Sequence, residues 1–344
     1  MKRVLLVGAG HAHAWLLSEL AREPLFGARF VLVSPEPRQI YSAMLPGLVA
    51  GHYSREEAEF DVARLAERAS AELITARVAR FDAARHVAVL DDGRELSFDI
   101  ASLNAGSTTD APEHTLGVKP FERLVDSLRL ASHVALAGGG AAGAELAMAL
   151  RHRGGEVTVY SDRVPFAPPL AARIERALRR RRVDFRPGMR VDAVEPGPVI
   201  VAGASRQQFD LVVWAAGPVP LPWLRQSGLS LDERGFVRVH ANLRSVSHPH
   251  VFAVGDCAAL PEAKSGVHAV RHGAVLAQNL RNLVTDTALV DYEPRPHALL
   301  LMSCGARYAI AAHGGWSAEG RWAWWWKNWI DRRWLRRLRG ADAR

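Results

Sequence analysis

Cysteine is scarce in this chain of 344 residues: there are two, Cys257 and Cys304. Two distant thiols make no disulfide framework and no cysteine-based metal cluster, and without a Cys-x-x-Cys or other close pair there is no redox-active dithiol. This usage fits a reducing cytoplasm. No apolar run reaches the ~20 residues of a membrane-spanning helix. Low-complexity segments and short-period repeats are missing too. Lys2-Arg3 before Val4-Leu5-Leu6-Val7 has the outline of a secretory leader, but the apolar run breaks at once into Gly8-Ala9-Gly10-His11. A first strand and its turn is the expected reading.

What remains is ordinary globular material. With 49% hydrophobic and 23% charged residues there is enough apolar substance for real cores, and the length leaves room for two or three domains. The net charge of +8 is unevenly placed: residues 321–344 hold eight Lys or Arg against two Asp. The same stretch holds Trp322, Trp324, Trp325, Trp326, Trp329 and Trp334, six of the ten tryptophans. Trp322, Trp325, Trp326 and Trp329 fall at i, i+3, i+4, i+7, one face of a helix. The ridge is expected to continue through Ile330, Trp334 and Leu338, with Arg332, Arg333, Arg336 and Arg337 around it. Tryptophan favours the membrane–water interface and arginine pairs with anionic headgroups, so this segment reads as a membrane-associating tail. Packing on the body or on a second copy is the alternative. No nucleic-acid recognition fold accompanies the basic tail, so no nucleic-acid role is expected.

Two glycine-rich turns carry the chemistry. Val4-Leu5-Leu6-Val7-Gly8-Ala9-Gly10-His11-Ala12-His13 opens the chain, and Val134-Ala135-Leu136-Ala137-Gly138-Gly139-Gly140-Ala141-Ala142-Gly143 repeats the pattern far downstream. In each, an apolar strand ends, a glycine makes the tight turn, a second lets backbone approach a pyrophosphate, and a helix begins. The helix N-terminus offers free N–H groups to phosphate. The second turn has its third glycine, Gly143; the first has His13 there, so close packing is relaxed or a side chain approaches the ligand. The ribose carboxylate expected at the end of the following strand is replaced by Ser34, with Glu36 two residues on, and by Ser161, followed by Asp162 and Arg163. A carboxylate favours a free 2′-hydroxyl and Ser plus Arg accommodates a 2′-phosphate, so NADH and NADPH both remain open. Gly255-Asp256 follows late in the chain. Two turns plus that pair point to a flavoprotein binding FAD and a nicotinamide nucleotide together.

Residues 1–36 read as β-α-β, Tyr41–Gly47 as a loop, and Ser54-Arg55-Glu56-Glu57 as a capping box opening a helix. Residues 72–106 read as short strands with an Asp91-Asp92-Gly93 hairpin. A second β-α-β unit spans 133–163, and Arg173–Arg182 is a solvated basic helix face. Strands return near 191–202 and 209–214, and a helix follows near 267–284. This order predicts an α/β fold of two Rossmann-like dinucleotide-binding domains of the three-layer ββα type, the second inserted into the first, plus a C-terminal Trp/Arg-rich amphipathic helix. The FAD-binding domain is expected at 1–118 and 236–312, the NAD(P)H-binding domain at 119–235, and the tail at 313–344.

These residues resemble the FAD-dependent pyridine nucleotide-disulfide oxidoreductase superfamily, and within it the type II NADH dehydrogenase-like branch. A narrower resemblance is to the flavoprotein module fused to selenophosphate synthetases. It is carried by Gly10-His11-Ala12-His13, Tyr41–Gly47, Gly266-Val267-His268-Ala269-Val270-Arg271-His272-Gly273 and Trp329-Ile330-Asp331-Arg332-Arg333; no synthetase domain is present. The resemblance implies that Gly8, Gly10 and His11 hold the FAD pyrophosphate, with His13 beside them, and Ser34 or Glu36 the adenosine ribose. It places Gly255 and Asp256 at the ribityl–pyrophosphate region, and Met44, Leu45, Pro46, Ala269, Val270, Arg271 and His272 beside the isoalloxazine. Gly138, Gly140 and Gly143 would hold the pyrophosphate of NAD(P)H, and Glu145 matches a helix carboxylate near the nicotinamide. The family's Ala-Thr-Gly turn stands here as Asn104-Ala105-Gly106 and Ala215-Ala216-Gly217, both without the threonine.

Among single residues, His11 and His13 diverge at a helix start, so flavin contact or packing is expected rather than a metal. Cys257 reads as a small buried thiol. Cys304 falls in a region the family places near the flavin, and Lys119 and Tyr41 are candidates to reach it. The implied activity is hydride transfer from NAD(P)H to FAD and onward to a second acceptor. Without a dithiol that acceptor meets the flavin directly, and a membrane-seated tail favours a quinone, on the inner face of the plasma membrane. Alternatives are oxidation or reduction of a sulfur or selenium compound, as in a sulfide:quinone oxidoreductase, and a non-catalytic flavin redox sensor. A homodimer is possible.

Overall fold

The computed structural model describes residues 1–295 and 297–340; the last four residues of the expected tail lie outside these. Two parallel five-stranded sheets organise the chain. In the first, Lys2–Val7 lies between Ala28–Ser34 and Ile100–Leu103, with Glu72–Thr75 and Val251–Ala253 at the edges. In the second, His133–Ala137 lies between Glu156–Ser161 and Leu211–Trp214, with Asp184–Pro187 and Leu116–Gly117 at the edges. The central strand of each sheet feeds a glycine turn and then a helix: α1 (His11–Leu20) and α2 (Ala141–His152). Because Val251–Ala253 returns to the first sheet after the second is complete, the second domain is inserted into the first.

Alternation along the central strands shows why each domain has three layers. Val4 and Leu6 pack on the α1 side, whereas Leu5 and Val7 face a cluster with Phe81, Ala88 and Leu90. Val134 and Leu136 likewise face α2, and Ala135 and Ala137 face Tyr160, Ile200 and Phe209. Parallel strands are buried on both faces and need a cover on each. A three-stranded antiparallel sheet supplies the second cover in both domains, Val78–Asp82, Val87–Leu90 and Glu95–Ser97 in the first and Ala193–Glu195, Val199–Ala202 and Ser205–Gln208 in the second. The Asp91–Gly93 turn closes one of these hairpins, Gly93 adopting φ +86°.

The expected loop at Tyr41–Gly47 is instead a 3-10 turn, Ser42–Met44, running into a short helix, Leu45–Val49. Pro46 stands in the first helical turn, where its fixed φ favours the helix and its missing N–H goes unneeded. The Ser54/Glu57 capping box forms, over a helix of only Arg55–Ala58. A long helix, α3 (Gly266–Val284), packs against α1 across Gly273, where a Cβ would sit 2.6 Å from the Ala12 carbonyl oxygen.

The C-terminal segment is built into the body. Trp316–Gly320 pairs with Ala309–His313, which pairs with Leu300–Ser303. Then comes α4 (Arg321–Arg339). Ala323, Trp324, Lys327, Asp331, Trp334, Leu335 and Leu338 form its buried face. Trp322, Trp325, Trp326 and Trp329 point outward together, exposed by 47, 51, 39 and 52%. The expected continuation of that ridge through Trp334 and Leu338 is wrong: both belong to the inward stripe, and Trp334 stacks on Trp15 of α1 at 5.8 Å. Two of the four flanking arginines also pair with carboxylates of the body, Arg332 at the surface and Arg337 partly buried. Arg332 pairs with Glu57 at 2.8 Å, and Arg337 pairs with Glu19 while lying 3.7 Å over the Trp15 ring.

Candidate active site

At the first turn Gly8 has φ +86°, and a Cβ there would lie 2.5 Å from Ala105 Cα. Gly10 caps α1 in extended conformation. The residue that organises this corner is Asn104, at the end of the neighbouring strand. Its Oδ1 accepts from the N–H groups of Ala12 and His13, both at 3.1 Å, and its Nδ2 donates to the Val254 carbonyl at 3.0 Å. A Cβ on Gly10 would sit 2.5 Å from Asn104 Oδ1, and one on Gly255 2.5 Å from Asn104 Nδ2. One amide thus caps the helix and ties the glycine turn to the Gly255–Asp256 turn.

His13, in the place of a third glycine, is buried. Its Nδ1 lies 2.6 Å from the Gly8 carbonyl oxygen and its Nε2 2.8 Å from Ser102 Oγ. A carbonyl only accepts, so the proton of the neutral ring sits on Nδ1, and Ser102 donates to Nε2. Burial pushes His13 down to about 4, against the opposing pull of the Gly8 bond. His11 is also pushed to about 4 by burial, with Asp256 opposing and Lys119 adding to the shift. Its Nε2 stands 3.4 Å from Ser42 Oγ, joining the turn to the Tyr41–Met44 segment, where Met44, Leu45 and Pro46 are buried.

Asp256 Oδ2 accepts from Ser107 Oγ at 2.9 Å and Lys119 Nζ at 3.1 Å. Burial pushes this carboxyl up, but the Lys119 charge and the two hydrogen bonds outweigh it and hold it low, so Asp256 is an anion. Gly106 adopts φ +79°, and a Cβ there would meet only Lys119 Nζ, at 3.9 Å. Ser34 is buried and accepts from Gln39 at 3.1 Å. Glu36 stands beside Arg77 at 3.7 Å on a cleft also lined by Pro35, Thr75, Ala76 and Asp91. Ala269 and His272 face the Gly255 turn from α3, with Val270 between them. Arg271 Nη1 is buried without a hydrogen-bond partner among the described residues.

The second turn is built differently. Gly138 has φ +128°, and a Cβ on Gly143 would lie 2.0 Å from the Gly138 carbonyl oxygen. Gly140 caps α2, and a Cβ there would meet only Pro165, at 4.0 Å, while one on Gly217 would meet nothing within 4 Å. The space before this helix N-terminus is open. Ser161 Oγ accepts from Gly139 N–H at 3.2 Å and donates to the Arg163 carbonyl at 2.5 Å, so it holds the turn. Asp162 and Arg163 are the exposed side chains at that end. Both turns present a glycine-capped helix N-terminus, the first partly capped by Asn104 and the second open, and both fit the diphosphate of a dinucleotide.

Glu145 of α2 is half-buried, and its Oε1 accepts from Ser303 N–H at 2.7 Å. Burial raises it to about 7, against Lys327 and the Ser303 bond and with Asp331 adding to the rise. Lys327 Nζ donates to the Ala43 carbonyl at 2.5 Å and to Asp331 Oδ2 at 2.7 Å. The buried stripe of α4 therefore brings an ammonium and a carboxylate beside the Tyr41–Met44 segment and into the field of Glu145. Lys119 joins a different cluster, with Asp256. Cys304 follows Ser303 but is buried, and burial first, then Glu145, pushes its thiol up to about 12; burial does the same for Cys257. Neither thiol is ionised near neutral pH. Sequence reading missed Asn104, Lys327 and Asp331. The departure from Ala-Thr-Gly at Asn104 and the i, i+4 Lys–Asp pair within a tryptophan helix were their available signals.

A family model described as pyridine nucleotide-disulphide oxidoreductase matches residues 2–279. The ferroptosis suppressor protein 1 of Xenopus laevis is 25% identical over 340 residues, covering 91% of this chain and 89% of that one. The NADH dehydrogenase-like protein YutJ of Bacillus subtilis is 22% identical over 318 residues, covering 86% and 87%. Among solved structures, the sulfide:quinone oxidoreductase of Aquifex aeolicus superposes with TM-score 0.82 at 16% identity, over 99% of this chain and 92% of that one. That likeness is one of fold.

Proposed function

The chain belongs to the pyridine nucleotide-disulphide oxidoreductase family, working with FAD and NAD(P)H, and from that premise we propose that it reduces a lipophilic quinone at a membrane surface. Bound FAD would supply two-electron chemistry between NAD(P)H and a second acceptor. In this reading the first turn, Gly8 to His13, with Glu36, Gly106, Gly255 and Asp256, binds FAD. The second turn, Gly138 to Gly143, with Asp162, Arg163 and Gly217, binds NAD(P)H. Asn104 holds the first turn and the Gly255 turn in one register. Met44, Leu45 and Pro46 exclude water from the reacting rings. Glu145, raised to about 7, is partly protonated near neutral pH, with the proton on Oε2 because Oε1 accepts from Ser303 N–H; the protonated form can give that proton to a reduced acceptor. Lys327 is fixed by Ala43 and Asp331 beside it.

The observation that carries the acceptor reading is the two-sided character of α4. Its inner face touches the Tyr41–Met44 segment through Lys327, and its outer face presents four exposed tryptophans. Trp316 of the adjoining strand extends that apolar face, 6.4 Å from Trp322. Such a face suits the headgroup level of a bilayer, which is also where a lipophilic quinone is found. No helix among the described residues is long and apolar enough to cross a membrane. Both thiols are buried and un-ionised, which removes the simplest route for a sulfur or selenium substrate.

Truncating α4 would unroof Trp324, Trp334, Leu335 and Leu338, so the test is substitution on the outer face. Trp322, Trp325, Trp326 and Trp329 all changed to Ser should abolish co-sedimentation with anionic vesicles. Quinone reduction in those vesicles should fall by about tenfold or more, while reduction of a soluble dye persists. Unchanged vesicle turnover would sink the reading. Loss of self-association in sedimentation, with vesicle binding intact, would assign the face to a second copy instead.

A further inference from the structure

Helix α3 turns His268 and His272 towards Glu262; His268 and Glu262 have no part in the chemistry above, and His272 entered it only as an expected neighbour of the isoalloxazine. His272 is buried between two partners. Its Nδ1 lies 3.0 Å from Gly255 N and its Nε2 2.9 Å from Glu262 Oε1. A backbone N–H only donates, so Nδ1 carries the lone pair. The proton of the neutral ring then sits on Nε2 and is donated to the carboxylate. The chain of bonds runs from Gly255 N–H through the imidazole to Glu262. Gly255 has little freedom to compensate: it holds φ +63° and is wedged against Asn104 Nδ2.

We propose that Glu262 and His272 position the Gly255–Asp256 turn for FAD by fixing a single tautomer of His272. This rests on the reading that Asp256 binds FAD. Glu262 selects the Nε2–H tautomer, and that tautomer alone leaves Nδ1 free to accept from Gly255. A doubly protonated ring puts Nδ1–H head-on against Gly255 N–H, so the turn must release. Facing this ring are Glu262, the Tyr292 ring at 4.5 Å, His268 and Lys264, with Arg271 beside it on the helix and Asp256 on the turn itself. Burial depresses His272 below its ordinary 6.5, with Glu262 opposing and His268 and Lys264 adding to the shift. A histidine depressed in the folded turn supports it fully above 6.5 and loses that support as pH falls towards its lowered value.

The test is FAD affinity of the apoprotein, read by quenching of flavin fluorescence, with circular dichroism confirming the fold. His272→Gln keeps both bonds, its amide oxygen accepting from Gly255 and its amide N–H donating to Glu262, but cannot titrate. It should bind FAD within about threefold of the unmodified chain at neutral pH, and His272→Leu and Glu262→Leu should each bind about tenfold more weakly or worse. On acidification His272→Gln should release FAD at lower pH than the unmodified chain, nearer the range of His11 and His13. Equal affinity in His272→Leu, a His272→Gln as weak as His272→Leu, or identical acid release in His272→Gln and the unmodified chain would each overturn the proposal. Asp256→Ala separates the two levels. If it binds FAD normally, the reading of the turn as the FAD site fails; if it alone weakens FAD, the tautomer proposal fails by itself.

Discussion

Helices α1 and α2 leave their strands through similar glycine turns but are held by different contacts. At the second turn the helix sits against backbone: position 143 has no room for a Cβ, and Gly138 O is the obstacle. At the first turn the equivalent position carries a whole imidazole. His13 spans from Gly8 O to Ser102, and Asn104 caps the helix from the next strand. The first helix is thus braced by side-chain hydrogen bonds, and the second by close backbone packing. A third glycine is one way of docking the helix on the turn; a buried polar brace is another, provided every donor and acceptor in it is matched.

That contrast can be broken most sharply at the second turn. Gly143→Val should cost about 3 kcal/mol or more in the second domain, since the obstacle is backbone that cannot rotate away. Nucleotide-driven flavin reduction should vanish while bound FAD remains, as measured by absorbance after desalting. Next comes the brace. Asn104→Leu leaves the Ala12 and His13 N–H groups and the Val254 carbonyl without their partner, for a loss of about 2–4 kcal/mol by denaturant unfolding. Here flavin, not nucleotide response, should be lost first. Asn104→Asp keeps the acceptor for Ala12 and His13 but replaces the Nδ2 donor with a carboxylate oxygen facing the Val254 carbonyl, and it adds an anion at the α1 N-terminus, so it should lose part of the stability and bind FAD more weakly. An Asn104→Leu protein with normal flavin content would erase the distinction between the turns.

The smallest effect sharpens the comparison through pH. His13 is held near 4 in the fold against an ordinary 6.5, so the unfolded chain binds the extra proton first. Stability from His13 is complete above 6.5 and is lost as pH falls towards 4. His13→Gln should therefore flatten the acid side of the thermal-stability profile between those limits. The second turn has no histidine in this place, and a Gly143→Ala chain should keep the acid dependence of the unmodified protein.

Much of this architecture could be read from the chain. Strand period, glycine spacing and the order of units imply two domains with one inserted, since apolar runs ending in glycine turns are local signals. The Asn104 brace is not local: its partners lie 91 to 150 residues away, and the departure from Ala-Thr-Gly at Asn104 marks the position without naming them. The tryptophan helix was half legible. Spacing groups Trp322, Trp325, Trp326 and Trp329 correctly, but α4 carries two apolar stripes and periodicity does not say which faces inward. The Trp15 ring and the Glu19 carboxylate draw Trp334 and Arg337 towards the body, while Arg332 pairs with Glu57 at the surface. Likewise Ser34 and Ser161 hold the ribose position in sequence, yet the structure commits their hydroxyls to neighbouring chain.

The most direct measurement is anaerobic stopped-flow mixing of the FAD-loaded protein with NADH and with NADPH, followed at the visible flavin band. The account predicts fast bleaching by at least one nucleotide, lost in Gly143→Val protein that still carries its flavin. No bleaching by either nucleotide, or equal bleaching in Gly143→Val, would contradict it.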